Sequence, residues 1–132
     1  MRRDSRILAF KLIFERLFNS QPFDEELWQE IKDKDKPFAE QIFEQYQLHK
    51  TQIQQKLSSL LVGYSLDRVH KVDLALLCET ITEIDYIKTP PAVAINEALE
   101  IAKIFSSAES PKFLNGVLSS VIKNNAKEGE NV

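Results

Sequence analysis

The chain has 132 residues, of which 43% are apolar and 28% are charged, a composition typical of one globular domain with a sizeable core. It contains no run of 18 or more apolar residues, which excludes a transmembrane helix, and its basic first residues precede no sustained apolar segment, so we expect no secretory signal. The single cysteine, Cys78, excludes an internal disulfide and a multi-cysteine zinc site, and the cytoplasm is therefore the expected location.

Positive charge is concentrated at the start of the chain. The net charge is −3, but residues 1–18 contain five basic and two acidic side chains, so this segment carries +3 and the remaining 114 residues carry −6. The basic residues are Arg2, Arg3, Arg6, Lys11 and Arg16. A basic segment on an acidic body is typical of a local phosphate or anion site, and a solvated, frayed terminus is the alternative.

Apolar residues recur with helical spacing in the first half of the chain, where they predict three helices. The first covers about 4–19, with Asp4 or Ser5 as its N-cap. Its apolar residues fill more than half of its circumference, so we expect it to be packed between neighbours. The other two predicted helices are a short one over 25–31, capped by Asp24, and a long one from Pro37 to near Gly63, with a charged loop at 32–36 between them.

The second half of the chain predicts three more helices separated by short breaks. They cover about 71–85 after a turn capped by Ser65, 89–105 with Pro91 in the first turn, and a last segment that begins at Ser110 and Pro111. The tail 125–132 has too few apolar residues to fold alone and is expected to be disordered. We therefore predict an all-α bundle of six or seven helices, with a single domain over residues 1–124.

Sequence motifs for catalysis are missing from the chain. It has no glycine-rich phosphate-binding loop and no nucleophile motif, and His49 and His70 lie 21 residues apart in different predicted elements. Cys78 lies in an apolar helix, where an inert buried thiol is expected. The acidic pair Glu79 and Glu83 is explained by a solvated helix face. The sequence thus predicts no catalytic residue, no metal and no cofactor, and it favours a binding module over an enzyme.

Three segments resemble the NusB family of bacterial transcription antitermination factors. The opening "RRDSRILAFKLIF" is similar to the arginine-rich start of that family, and "LDRVHKVDLALLCETITEID" is similar to its central helix. The segment "PPAVAINEALEIAKIFSSAESPKFLNGVL" is close to the C-terminal signature of the family across almost its whole length. The resemblance extends from about residue 2 to 122, although residues 20–62 match only in pattern.

The resemblance implies a fold and a function. Members of the family are small all-α domains built as two bundles of helices. They bind single-stranded boxA RNA and pair with NusE, which is also a small-subunit ribosomal protein. The resulting complex joins an RNA polymerase assembly that resists premature termination, notably on ribosomal RNA operons. The family also includes homodimers that hide the basic surface, so a homodimer is an alternative state.

The resemblance also assigns roles to individual residues. The RNA-binding positions that it implies are Arg2, Arg3, Arg6, Lys11, Asp73, Glu109, Lys112 and Phe113. Thr82 and Glu83 fall on positions associated with the NusE surface. A base is expected to stack on Phe113 while Arg3 and Arg6 hold phosphates. The alternatives are a core position for Phe113 and a surface charge paired with a carboxylate for Arg6.

Two other functions compete with this hypothesis. Asp4 and Ser5 interrupt the basic run of the family, which favours a helical protein-interaction module of the same fold with weakened or lost RNA binding. Similar helical domains also precede the catalytic domain of some ribosomal RNA cytosine methyltransferases. This chain has no glycine-rich cofactor segment and would supply at most the RNA-guiding part of such an enzyme.

Overall fold

The computed structural model describes residues 2–18, 29, 32–61, 63 and 65–130, and all of its regular structure in these ranges is helical. The five α-helices are α1 (Arg2–Phe18), α2 (Lys36–Leu60), α3 (Lys71–Thr82), α4 (Pro91–Phe105) and α5 (Ser110–Glu130). Two 3-10 turns, Asp33–Asp35 and Leu66–Arg68, and a π-helical turn, Glu83–Ile87, complete the described elements. The all-α prediction is therefore correct. The described part of the chain has five α-helices rather than six or seven, and nearly all of the helix predicted at 25–31 lies outside it.

The start of α1 differs from the prediction. The helix begins at Arg2, so Asp4 and Ser5 lie inside its first turn instead of capping it. Ser5 is buried, and its hydroxyl donates a hydrogen bond of 2.7 Å to the backbone oxygen of Asp35. This bond ties the first turn of α1 to the 3-10 turn that precedes α2.

The centre of the molecule is α3, which other helices surround. Every residue from Asp73 to Ile84 is buried. Helices α1 and α2 pack against each other and against α3, and α4 and α5 pack against each other and also against α3. A helix that is apolar around most of its circumference can bury all of its faces in this way. No helix in the described ranges is both long and apolar enough to cross a membrane.

The two C-terminal helices begin within two residues of the predicted positions, and α4 also ends at Phe105 as predicted, whereas α5 is longer than predicted. Pro91 is the first residue of α4, where its missing N–H group costs nothing. Helix α5 continues to Glu130, although the sequence predicted a disordered tail from 125. The side chain of Asn125 accepts a hydrogen bond from Lys56 and donates one of 2.9 Å to Asp85, which attaches this part of α5 to the rest of the fold. The boundary of the single domain at 124 stays a prediction.

Candidate functional site

A buried ion pair joins the first helix to the end of the central helix. The Arg6 Nε–H donates to both carboxylate oxygens of Glu83, at 3.0 and 2.9 Å. The side chain of Arg6 is 5% exposed and that of Glu83 is 0% exposed. Thr89 donates a third hydrogen bond, of 3.1 Å, to the Glu83 carboxylate. These bonds satisfy a charge that would otherwise be very costly inside the protein.

A second carboxyl group lies next to this pair. Glu79 precedes Glu83 by one helical turn and is 1% exposed, and its Oε1 atom has no hydrogen-bond partner among the described residues. Burial raises the pKa of Glu79 well above its usual range, and the charge of Glu83 raises this pKa further. The fold therefore favours the protonated, neutral form of Glu79 more strongly than the unfolded chain does.

The burial of these side chains corrects three expectations from the sequence. Arg6 does not lie on the surface that the RNA-binding role requires, and it is not a surface charge. Thr82 and Glu83 have no exposed surface either, so neither side chain lies where a partner can contact it in this conformation. The Thr82 hydroxyl instead donates to the backbone oxygen of Cys78 at 2.6 Å. The solvated face predicted for Glu79 and Glu83 is also wrong, because α3 is enclosed on all sides.

Asp73 is buried as well, and it organises the loop between α4 and α5. Its two carboxylate oxygens accept hydrogen bonds from the hydroxyls of Ser106 and Ser110, at 2.7 and 3.0 Å. Ser110 is also within 2.9 Å of the Ser107 hydroxyl. Asp73 therefore fixes the position of this loop and has 5% of its surface left for direct contact with a ligand.

Two of the predicted RNA-binding arginines lie at the surface, and each contacts a different helix. The Arg2 guanidinium carbon lies 4.2 Å from the centroid of the Phe38 ring in α2, a cation–π distance. The Arg3 Nε–H donates to Glu97 in α4 at 2.7 Å, and its Nη2 lies 3.4 Å from the other carboxylate oxygen. Arg2 is exposed and Arg3 is half-buried, so both are accessible to an anionic ligand.

An aromatic and basic surface continues along α1 from Arg3. The Nζ atom of Lys11 lies 5.3 Å from the ring centroid of Phe105, which is 36% exposed and also packs against Phe10. Phe105 is not among the residues predicted for the site, because its helical spacing places it on the apolar arc of α4. Its position in the last turn of that helix could have indicated that the ring is exposed, since the ends of an amphipathic stripe often extend beyond the core.

The remaining predicted residues lie around a groove between α2 and α5. The groove has a volume of about 550 Å³ and is lined by Leu60, Leu61, Glu109, Lys112, Phe113, Gly116, Val117 and Ser120. Glu109 and Lys112 are exposed, and Phe113 is half-buried and packs against the core. Phe113 thus packs against the core, and its stacking on a base stays a prediction.

The structure separates the predicted RNA-binding residues that are not buried into three places. These are the first turn of α1, the contact between Lys11 and Phe105, and the groove beside Phe113. Arg3 and Lys11 are eight residues apart on one helix, about 12 Å along its axis. The described residues contain no group of three His, Cys, Asp or Glu side chains that could hold a metal ion. Burial raises the pKa of the Cys78 thiol to about 12, which makes this cysteine a poor nucleophile.

Comparisons with known proteins identify relatives of the chain. Residues 3–123 match the family model described as the NusB family. The transcription antitermination protein NusB of Methylacidiphilum infernorum is 44% identical over 99 residues, which cover 74% of this chain and 69% of that protein. The structure of T. maritima NusB superposes with a TM-score of 0.83 at 29% identity, covering 93% and 91% of the two chains. A structure of the antitermination factors NusB and NusE in complex with double-stranded RNA has a TM-score of 0.80 at 26% identity, covering 93% and 96%.

The buried ion pair predicts a large effect on stability. Arg6→Met leaves the Glu83 carboxylate without its cation, and we expect a loss of about 3–5 kcal/mol in the free energy of unfolding, measured by urea denaturation at pH 7. The double variant Arg6→Met with Glu83→Leu is expected to regain part of this loss, because no buried charge is left unpaired. Arg16→Ala, at an exposed position of the same helix, is the control and should leave the midpoint nearly unchanged. Equal midpoints for Arg6→Met and the control would contradict the buried pair.

The raised pKa of Glu79 predicts a pH-dependent stability. The unfolded carboxyl ionises at about pH 4.3 and the folded one only at higher pH, so the stability that the bound proton supplies declines as the pH rises above that value. Glu79→Gln removes this decline. Between pH 4 and 8, the urea midpoint of the wild type should therefore fall with rising pH relative to the midpoint of Glu79→Gln. Glu100→Gln is the control, since a hydrogen bond from Lys103 lowers the pKa of Glu100. Parallel profiles for wild type and Glu79→Gln would contradict the assignment.

Proposed function

The chain belongs to the NusB family, whose curated relatives are transcription antitermination proteins, and we propose that it binds boxA-type single-stranded RNA together with NusE. The complex acts in the cytoplasm, within an RNA polymerase assembly that resists termination, notably on ribosomal RNA operons. The protein acts by binding and has no catalytic role. Its helices form two bundles, one containing α1 and α2 and the other α4 and α5, with α3 between them.

One observation in this molecule carries the RNA-binding proposal. On a chain with a net charge of −3, the accessible cations Arg2, Arg3 and Lys11 occupy one helix, and an exposed aromatic ring, Phe105, adjoins the last of them. Cations alongside aromatic rings suit a single strand, because the cations bind phosphates and the rings stack on unpaired bases. A structure of a relative with the same fold contains NusE and double-stranded RNA, which supports RNA as the class of ligand.

The predicted residues take different parts in this function. Arg2, Arg3, Lys11 and Lys112 are accessible and serve as phosphate contacts, while Phe105 and Phe113 offer ring surface to bases. Arg6 and Asp73 are buried and act as positioning residues, Arg6 by holding α1 against α3 and Asp73 by fixing the loop between α4 and α5. Glu109 lies exposed on the rim of the groove beside Lys112, where it limits the local positive charge.

Thr82 and Glu83 affect NusE binding only through what they hold in place. Both side chains are fully buried, and Glu83 accepts hydrogen bonds from Arg6 in α1 and from Thr89 after the π-helical turn. The backbone N–H of Thr89 also bonds to the Glu83 carbonyl at 3.0 Å. Loss of Glu83 would therefore disturb the surface that follows α3 rather than remove a contact.

A second candidate function is a helical protein-interaction module that has weakened or lost RNA binding. It is favoured by the number of arginines that already have partners within the protein. Arg6 is buried against Glu83, and the Nε–H of Arg3 is bonded to Glu97. Fewer available cations mean fewer phosphate contacts and weaker binding. A homodimer that covers the basic surface would also weaken RNA binding.

The proposal predicts a specific, salt-dependent interaction with RNA. Affinity for a boxA-like RNA and for a scrambled RNA of the same composition is measured with and without NusE, from 50 to 300 mM salt. We expect tighter binding of the boxA-like RNA, with NusE increasing the preference. Arg2→Ala with Arg3→Ala should lower the affinity about tenfold near 150 mM salt and reduce the slope of log K against log salt by about 1.4, the value for two lost single-strand phosphate contacts.

The control variant removes the same charge elsewhere. Lys50→Ala with Lys123→Ala changes two exposed lysines outside the candidate surfaces and should leave the salt slope unchanged. Neither pair of substitutions should change pairing with NusE, which is measured by calorimetry. Equal affinity for the two RNAs, or none for either, would reject the RNA-binding function and leave the interaction module. Sedimentation without ligands identifies a homodimer.

A further inference from the structure

The contact between Arg3 and Glu97 places a carboxylate inside the basic surface. The Arg3 Nε–H and Nη2 atoms face the two carboxylate oxygens of Glu97, at 2.7 and 3.4 Å. The two residues are 94 positions apart, so the contact depends on the packing of α1 beside α4. The side chains are 37% and 20% exposed, so a ligand can approach both of them.

A guanidinium binds carboxylates and phosphates in the same way. Both anions present two oxygens to one edge of the planar group, which forms two nearly parallel N–H bonds. Glu97 faces the edge of Arg3 that contains Nε and Nη2. A phosphate therefore cannot bind that edge while Glu97 is in place.

We propose that Glu97 is an intramolecular competitor of RNA phosphate, which occupies Arg3 in the free protein and is displaced when a strand binds. The inference rests on the proposed RNA-binding function and adds a specificity-determining residue to it. Displacement costs the free energy of a partly exposed ion pair, which is small. A ligand with several correctly spaced contacts supplies this free energy readily, whereas an isolated anion gains little from Arg3.

The other charges near Arg3 allow Glu97 to be distinguished from a general field effect. Glu100 lies one turn further along α4 and also contributes negative charge near Arg3, but its own carboxylate accepts a hydrogen bond of 2.9 Å from Lys103. Removing either acidic charge reduces the repulsion of a polyanion. Only the removal of Glu97 makes the Nε and Nη2 edge of Arg3 available without displacing a carboxylate, so only this effect depends on Arg3.

The test is a double-mutant cycle on RNA binding. Affinity for the boxA-like RNA is measured across the same salt series for the wild type, Glu97→Gln, Glu100→Gln, Arg3→Ala and the variant with both Arg3→Ala and Glu97→Gln. We expect Glu97→Gln to bind about two- to fivefold more tightly at low salt, because no partly exposed ion pair has to be broken first. The slope of log K against log salt should change little, since Arg3 contacts a phosphate in both complexes. Glu100→Gln should tighten binding less, and in the Arg3→Ala background Glu97→Gln should lose most of its effect on affinity.

Each outcome separates this inference from the proposed function. Weaker binding by Glu97→Gln would mean that Glu97 orients Arg3 for RNA, and it would overturn the competition. Equal effects of Glu97→Gln and Glu100→Gln on RNA affinity would mean that Glu97 acts only through its negative charge. This result would also overturn the competition. If Glu97→Gln were the one protein of the five that binds RNA, the result would support a competition strong enough to block RNA binding in the wild type. No RNA binding by any of the proteins would overturn the proposed function together with this inference. Circular dichroism melting curves of the five proteins confirm that each one is folded.

Discussion

The enclosure of α3 is the constraint on which the rest of this structure depends. A helix surrounded on all sides cannot leave polar groups to water, so each of them needs a partner inside the protein. Thr80 and Thr82 donate to backbone oxygens one turn earlier in the helix, at 2.7 and 2.6 Å. Asp73 binds serines of the loop between α4 and α5, and Glu83 binds Arg6 of α1. The polar groups of the central helix thereby fix the positions of the elements around it.

The first turn of α1 shows how helix geometry gives neighbouring arginines different environments. Successive residues point about 100° apart, while residues four apart share a face. Arg2 and Arg6 accordingly share the Phe38 ring, with guanidinium carbons 4.2 and 5.4 Å from its centroid. Arg6 extends inward to Glu83, whereas Arg3 points along α4 to Glu97. A basic run that resembles a single RNA-binding element is thus also a packing element that contacts three helices.

Helical spacing in the sequence was sufficient to predict most of the fold. The apolar periodicity and the prolines placed α2, α4 and the start of α5 within a few residues, because these features act locally. The burial of Arg6 and Glu83 was not predictable in the same way, since the two residues are 77 positions apart and an amphipathic wheel treats every charge as solvated. Phe105 was missed for the opposite reason, because the same wheel treats every aligned aromatic residue as core. The errors at the candidate site thus arise where a long-range contact determines the environment of a side chain.

Burial and exposure together determine what the predicted site residues can do. Asp73 in α3 and Glu83 directly after it, to which the resemblance assigned binding roles, lie inside the protein and can influence a ligand only by holding other groups. Asp73 fixes the loop that connects Phe105 with Lys112, and Glu83 fixes the turn of α1 that presents Arg2 and Arg3. Rigid support of this kind reduces the ordering cost of binding, because the cations and rings do not have to be brought into position by the ligand. In this protein the buried charges therefore contribute to recognition through the geometry of an exposed surface that they do not themselves reach.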